Sequence, residues 1–110
     1  MDSKKELYQI EFTEDCRDEI REIYKYISEN LQAEEAAKRL MKKMRDSVYE
    51  LAESPRMFVE IPNNKKRKLS FRRMVVDNYV ILYTINESKK VIYISHMFYG
   101  RRNYLDGGLL

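Results

Sequence analysis

The sequence of 110 residues predicts an α+β fold: a strand, a two-helix antiparallel hairpin, and then a three-stranded antiparallel meander, with both helices on one face of the sheet. Two observations lead to this prediction. Between residues 13 and 53, apolar residues recur at spacings of three and four, as in amphipathic helices. From residue 68 onward, apolar residues form short strand-like runs separated by polar turns. The length fits a single domain, residues 1–110, with one core.

The first strand is predicted at residues 7–12, LYQIEF, where alternate side chains fall on opposite faces. Thr13 or Asp15 is positioned to cap the helix that follows, because short polar side chains accept hydrogen bonds from the first helical N–H groups. The expected buried face of this helix consists of Cys16, Ile20, Ile23, Tyr24, Ile27 and Leu31.

A second helix is predicted from about residue 33 to residue 53, joined to the first by a short loop. Ser54-Pro55 ends it, because the residue before a proline avoids the helical region. Its expected inner face consists of Ala33, Ala36, Ala37, Leu40, Met41, Met44, Val48 and Leu51.

Three strands are predicted after a loop at residues 56–67. They lie at residues 68–76, 79–85 and 91–99, with an Asp77-Asn78 turn between the first two and an NESKK turn before the last. The middle strand, YVILYTI, is apolar on both faces, yet the helical hairpin can cover only one. We expect the second face to be partly open, and an exposed apolar patch usually marks a binding surface. Shielding by the loop or by the C-terminal tail is the alternative.

The composition argues against several kinds of site and location. Cys16 is the only cysteine and cannot form an internal disulfide, which fits a reducing cytoplasm. With His96 as the only histidine, we expect no metal site, and we expect no cofactor or small-molecule ligand. No apolar run approaches the roughly 20 residues that cross a bilayer, and the N-terminus lacks the apolar stretch of a signal peptide. We therefore expect a cytoplasmic protein without a membrane partner.

The net charge of +3 is unevenly distributed along the chain. Residues 1–62 contain 11 Lys/Arg and 15 Asp/Glu, a net charge of −4, whereas residues 63–110 contain 10 Lys/Arg and 3 Asp/Glu, a net charge of +7. A basic half is a candidate surface for a polyanion or an acidic partner, and the alternative is an ordinary solvated surface. The run NNKKRK at residues 63–68 and the segment FYGRRNY at residues 98–104 contain most of these cations.

Four segments resemble the RelE/ParE family of bacterial type II toxins. EFTEDCRDEIREIYKYISEN and AAKRLMKKMRDSVYELAESP are similar to the two helices of the family, and RRMVVDNYVILYTI and VIYISHMFYGRRNY to its closing strands, including the usual "GRR" end. The resemblance covers about residues 7–104. It implies a cytoplasmic toxin that inhibits growth, a role associated with plasmid stabilisation. It also implies a cognate antitoxin that wraps an extended, acidic and apolar segment over the toxin.

The family contains two activities. RelE-like members cleave mRNA in the ribosomal A site, whereas ParE-like members poison DNA gyrase and are not enzymes, so whether this chain is an enzyme stays open. RNA cleavage by 2′-hydroxyl attack requires a base, a group that stabilises the phosphorane and an acid. For a nuclease, the resemblance implies Arg73, Tyr99, Arg101, Arg102 and Tyr104 as catalytic residues.

Further residues are expected to bind the target or the antitoxin. Candidates for contact with a target or nucleic acid are Lys65, Lys66, Arg67, Lys68, Arg72 and His96; the lysine-rich loop could equally be solvated, and His96 could equally be a packed, hydrogen-bonded residue. Candidates for contact with the antitoxin are Val80, Leu82, Arg101 and Arg102.

Val80 departs from the RelE-like pattern. RelE-like nucleases have an arginine just after the position of Tyr79, and this chain has Val80 there. The loss of that cation removes a phosphate contact and favours a ParE-like, binding-based activity. A RelE-like ribonuclease stays open as an alternative, as does a weakly toxic relative that mainly binds its antitoxin.

Overall fold

The computed structural model describes residues 7–61 and 70–100, and it confirms the predicted α+β class. No helix within these two ranges is long and apolar enough to cross a membrane. The predicted elements are present: β1, α2 and β2 are shorter than expected, β3 is one residue longer, and β4 has the predicted bounds. In chain order they are β1 (Gln9–Phe12), α1 (Glu14–Lys25), a π-helical turn (Tyr26–Asn30), α2 (Glu34–Glu50), β2 (Arg72–Val76), β3 (Tyr79–Asn86) and β4 (Val91–Tyr99).

The four strands form one mixed sheet in the order β1-β4-β3-β2. The predicted antiparallel meander of β2, β3 and β4 is confirmed. β1 pairs in parallel with β4, so that Gln9 lies opposite Val91 and Phe12 lies opposite Ile94. The last strand of the chain is therefore an inner strand of the sheet.

Thr13 fixes the start of α1 on the sheet. Of the two predicted caps, Thr13 is the N-cap, and its hydroxyl accepts a hydrogen bond from the Cys16 N–H at 3.1 Å. The same hydroxyl donates to the Ser95 carbonyl at 3.1 Å, and the Thr13 N–H donates to the Ile94 carbonyl at 3.0 Å. α1 consequently leaves the end of β1 in contact with β4.

The helices pack on one face of the sheet, as predicted. The inner face of α2 is confirmed over most of its length, because Ala37, Leu40, Met44 and Val48 are buried in the main core cluster. Burying these side chains is the main source of stability for such a layer. The sheet contributes Met74, Val76, Ile81, Tyr83, Ile92, Ile94 and Met97 to this cluster.

The opposite face has a second buried cluster. Val80, Leu82 and Phe98 of the sheet pack there with Ile61 and Phe71. The expectation that this face is partly open is therefore wrong at Val80 and Leu82, which are 4% and 0% exposed. The shielding alternative holds at these positions, because the segment between α2 and β2 supplies Ile61 and Phe71. An N–H from Ile61 to the Phe71 carbonyl, at 2.9 Å, fixes the two ends of that segment together.

Candidate functional site

The predicted site residues divide into two groups. Arg72, Arg73, Val80, Leu82, His96 and Tyr99 lie in the described part of the chain. The predicted residues that lie outside it are Lys65, Lys66, Arg67, Lys68, Arg101, Arg102 and Tyr104.

The structure brings Arg73, Val80 and Tyr99 together around a shallow depression of about 260 Å³ beside the β2–β3 turn. Val75 and Gly100 also line it. Val75 lies opposite Val80 in the β2–β3 register and is exposed, and Arg73 lies two residues before it on the same strand and face. This depression is the point from which the chain continues into the predicted arginine pair.

Gly100 is needed here because of a close approach. Its N–H donates to the Asn78 carbonyl at 2.7 Å, and a Cβ at this position would lie 2.9 Å from the same oxygen. A side chain would therefore force the end of β4 away from the β2–β3 turn. The glycine of the "GRR" segment thus has a packing explanation of its own.

Arg72 has a different environment from Arg73. It lies opposite Tyr83, on the helix side of the sheet, and its guanidinium donates to the Phe58 carbonyl at 2.6 Å. Burial raises the pKa of the Tyr83 hydroxyl to about 12, although the positive charge of Arg72 acts in the opposite direction. The Arg72 side chain is therefore bonded to the segment that follows α2, and it does not line the depression that Arg73 lines.

His96 is packed and hydrogen-bonded. It is 16% exposed, and its Nδ1 lies 3.1 Å from Oε2 of Glu19 on α1. The other oxygen of that carboxylate, Oε1, accepts the N–H of Met97 at 2.9 Å. The imidazole is therefore oriented by α1, and His96 does not line the depression that contains Arg73 and Tyr99.

Tyr99 also borders a second, larger cleft of about 500 Å³ between α1, the π-helical turn and the end of β4. Its ring meets that of Tyr79 edge to face, with centroids 5.7 Å apart. Burial, with the nearby Tyr99 and Tyr26 phenols, raises the pKa of Tyr79. The sequence pattern did not predict this cleft, because Tyr26 lies outside the buried face expected for the first helix. The only signal was the break in apolar spacing at Asn30 and Gln32.

The described ranges, 7–61 and 70–100, contain no cluster of three or more His, Cys, Asp or Glu residues that could hold a metal ion. Cys16 is buried in the core, and burial raises the pKa of its thiol to about 12. A thiol of this kind is a poor nucleophile at neutral pH. The polar residues around the depression are instead Arg73, Asp77, Asn78 and Tyr99.

A sequence profile of the family described as "ParE toxin of type II toxin-antitoxin system, parDE" matches residues 10–104. This chain belongs to the RelE/ParE family of toxins. The match spans both helices, all four strands and the arginine pair after Gly100. A comparison with curated protein sequences found no significant match for this toxin.

Solved structures share the fold of this RelE/ParE toxin. The chromosomal ParDE system of P. aeruginosa is similar with a TM-score of 0.67 at 14% identity, covering 86% of this chain and 97% of that one. The toxin–antitoxin complex RelBE2 of Mycobacterium tuberculosis is similar with a TM-score of 0.62 at 15% identity, covering 89% and 97%. The isolated RelE toxin of E. coli has a TM-score of 0.55 at 18% identity, covering 90% of each chain.

These likenesses include both ParE and RelE proteins, so the fold of the RelE/ParE toxin does not separate the two groups. Three of the similar structures are toxin–antitoxin complexes by name, from M. tuberculosis, Pyrococcus horikoshii and E. coli. The family membership makes this chain the toxin component of a type II toxin–antitoxin system. The fold alone does not select the target.

Proposed function

We propose that this toxin is ParE-like: it inhibits growth in the cytoplasm by binding DNA gyrase or a similar protein target, and a cognate antitoxin neutralises it. The observation that carries this proposal is the burial of Val80. The residue is 4% exposed and packs with Leu82 and Phe98, at the position where the RelE-like pattern has an arginine. A buried isopropyl group offers no donor to a phosphate.

The remaining groups supply only part of what RNA cleavage requires. Arg73 and Tyr99 border one depression, so a guanidinium and a phenol are available there. The imidazole of His96 contacts the Glu19 carboxylate and lies away from that depression. The carboxylate that lines this depression, Asp77, forms an ion pair with Lys43 at 3.1 Å. No carboxylate without a partner therefore lies beside Arg73 and Tyr99 among the described residues, which supports a binding activity over a catalytic one.

A RelE-like, ribosome-dependent ribonuclease is the second candidate. The depression shared by Arg73 and Tyr99 favours it, because Gly100, which also lines it, directly precedes Arg101 and Arg102 in the sequence. A weakly toxic relative that mainly binds its antitoxin is the third candidate, and the burial of the far sheet face agrees with it equally well.

Controlled expression in a bacterial host without an antitoxin tests the proposal. Growth, a DNA-damage reporter and mRNA 5′ ends are followed in the same culture, and the purified chain is added to a gyrase supercoiling assay. We expect growth arrest, induction of the reporter, inhibited supercoiling and intact mRNA. New cuts in phase with codons would instead establish the ribonuclease, and normal growth at a verified protein level would establish the weakly toxic alternative.

A further inference from the structure

The cleft between α1 and the end of β4 has no role in the function proposed above. Its apolar wall is formed by Ile23, Tyr26, Leu31, Tyr79 and Tyr99. Tyr26, Leu31 and Tyr99 are 53%, 56% and 45% exposed, so three large apolar side chains of this wall remain accessible to solvent. Adjacent exposed apolar side chains around a concave surface are typical of a protein-binding site.

The π-helical turn explains why Tyr26 and Leu31 lie at this cleft. After Lys25 the helix widens over Tyr26–Asn30, and the Leu31 N–H donates to the Tyr26 carbonyl at 3.1 Å, five residues back. A regular α-helix would rotate these side chains to other positions along its surface. π-helical turns are rare and occur frequently at functional sites. The π-helical turn and the solvent exposure of the side chains therefore both point to Tyr26 and Leu31.

The charge of the cleft is acidic. Glu19 and Glu22 line it, and no lysine, arginine or histidine of the described ranges does so. The Glu19 carboxylate is already occupied by the Met97 N–H and His96. Glu22 lies one helical turn further on, and its carboxylate forms no hydrogen bond or ion pair within residues 7–61 and 70–100. An exposed carboxylate beside three tyrosine rings is suited to a cation.

We propose that this cleft binds a peptide segment of a partner protein that combines apolar side chains with an arginine or lysine. The apolar side chains would cover Ile23 and Leu31, and the cation would approach Glu22 and the Tyr26 ring. This segment is opposite in charge to the acidic segment expected on the basic C-terminal half. The proposal goes beyond the proposed function and rests on it in one respect: it gives a toxin that acts by binding a second surface for a partner protein.

The probe for the test is a pair of synthetic peptides. Each has about 14 residues with leucines at helical spacing, and the two differ only in having arginines or glutamates beside the leucines. Binding is measured on the full chain by titration calorimetry and by NMR shift changes at moderate and high salt. We expect the arginine peptide to bind about tenfold more tightly than the glutamate peptide, with the advantage reduced at high salt.

Matched variants locate the site. We expect Tyr26→Ala to weaken the arginine peptide about tenfold, as removal of an aromatic anchor does, and Glu22→Gln to weaken it several-fold. The controls are Tyr49→Ala and Glu50→Gln, because Tyr49 is 58% exposed on α2 beside Glu50 and lines a different depression. These controls should leave the affinity unchanged.

Four results of the peptide measurements would overturn the proposal: no saturable binding at millimolar peptide, equal binding of both peptides, equal losses in the two control variants, or tighter binding after Arg101→Ala with Arg102→Ala. The last result would assign the cleft to arginines of the same chain. Self-association of the free chain that is abolished by Tyr26→Ala would assign it to a second copy and would likewise overturn the proposal. Because the readout is peptide binding, its failure is distinguishable from failure of the gyrase proposal, which is read by supercoiling.

Discussion

Glu19 on α1 and His96 on β4 lie 3.1 Å apart, from Oε2 to Nδ1, and the same carboxylate accepts the Met97 N–H at 2.9 Å. β1 ends at Phe12, opposite Ile94, so the outer edge of β4 continues beyond its strand partner. At that unpaired edge, the Glu19 carboxylate accepts the hydrogen bond from the Met97 N–H that a neighbouring strand would otherwise accept. A helix side chain thus completes the sheet.

Replacement of Glu19 by alanine tests this role. We expect Glu19→Ala to lower the free energy of unfolding by about 1–3 kcal/mol, because it leaves the Met97 N–H without its acceptor. Glu19→Gln keeps one side-chain oxygen as an acceptor, so it should lower the free energy of unfolding by less than Glu19→Ala does. The measurement is urea denaturation, with Glu22→Ala on the same helix as the control, expected within about 0.5 kcal/mol of the unchanged chain. Equal effects at both positions would contradict the role of Glu19.

The Tyr83 hydroxyl connects the sheet to the end of the helical layer. It is buried and donates to the Pro55 carbonyl at 2.8 Å. We expect Tyr83→Phe to cost about 1–3 kcal/mol, since the carbonyl is left buried without its donor. Tyr49→Phe, at an exposed tyrosine, should have no effect on thermal or urea unfolding. If Tyr83→Phe left the free energy of unfolding unchanged, a water molecule would have replaced the lost donor.

Alkaline pH should destabilise this chain. Burial raises the pKa of the Cys16 thiol from 9.0, and of the Tyr83 hydroxyl from 10.0, to about 12 in each case. As pH rises, the unfolded chain loses these protons first. The stabilisation is therefore complete below about pH 9 and is lost towards pH 12, at up to about 1.4 kcal/mol per pH unit for each group.

Urea denaturation from about pH 8 to about pH 11 measures this loss, and the variant Cys16→Ala separates the contribution of the thiol. We expect the variant to be less stable at neutral pH, because it leaves space in the core, but to lose stability less steeply above pH 9. Identical slopes for the two proteins would show that Cys16 is not the titrating group.

Gly100→Ala should disturb the depression beside the β2–β3 turn. The new Cβ would lie 2.9 Å from the Asn78 carbonyl, and the hydrogen bond from the Gly100 N–H would lengthen. We expect a loss of about 1–2 kcal/mol in stability. NMR shift changes should be confined to the turn and the end of β4. Lys89→Ala, in the exposed turn before β4, is the control, and shift changes of similar size and extent in both variants would refute the packing explanation.

Arg101→Ala together with Arg102→Ala should reduce toxicity without unfolding the domain. The expected loss is about tenfold or more in potency, as for central residues of a binding surface. Growth curves across a range of inducer concentrations measure it, and circular dichroism checks the fold. The control is Lys38→Ala with Lys42→Ala, which removes the same charge from the exposed side of α2. Undiminished toxicity in a folded arginine variant would remove this pair from the site.

Local patterns were sufficient to predict the helices and the last three strands. The spacing of Leu40, Met44 and Val48 predicts the face of α2 that is buried, and the Asp77-Asn78 turn predicts the register of β2 with β3. The position of β1 could not be predicted in this way. Its partner lies about 80 residues away, and no turn connects the two strands.

The relative placement of candidate site residues could be predicted only where strand register determines it. Arg73 and Tyr99 border the same depression because β2 pairs with β3 and Tyr79 pairs with Tyr99, and both pairings follow from the meander. The cover over Val80 depends on Ile61 and Phe71, which lie in a segment without periodicity. The helical pattern gave no sign of the role of Glu19, which lies outside the predicted apolar face. Its bond to the Met97 N–H depends on where β1 ends.

Because β4 lies between β1 and β3, the sheet can form only after β4 has been synthesised. While residues 51–99 are still being made, α1 and α2 have already been synthesised, but the strands that cover their apolar faces are incomplete. At bacterial elongation rates that interval lasts roughly 3–10 s, far longer than helix formation requires. β1 must wait for the last strand before it can pair. A nascent chain of this toxin therefore cannot complete its sheet until β4 has been made, and before that point its apolar core residues are accessible to chaperones and proteases.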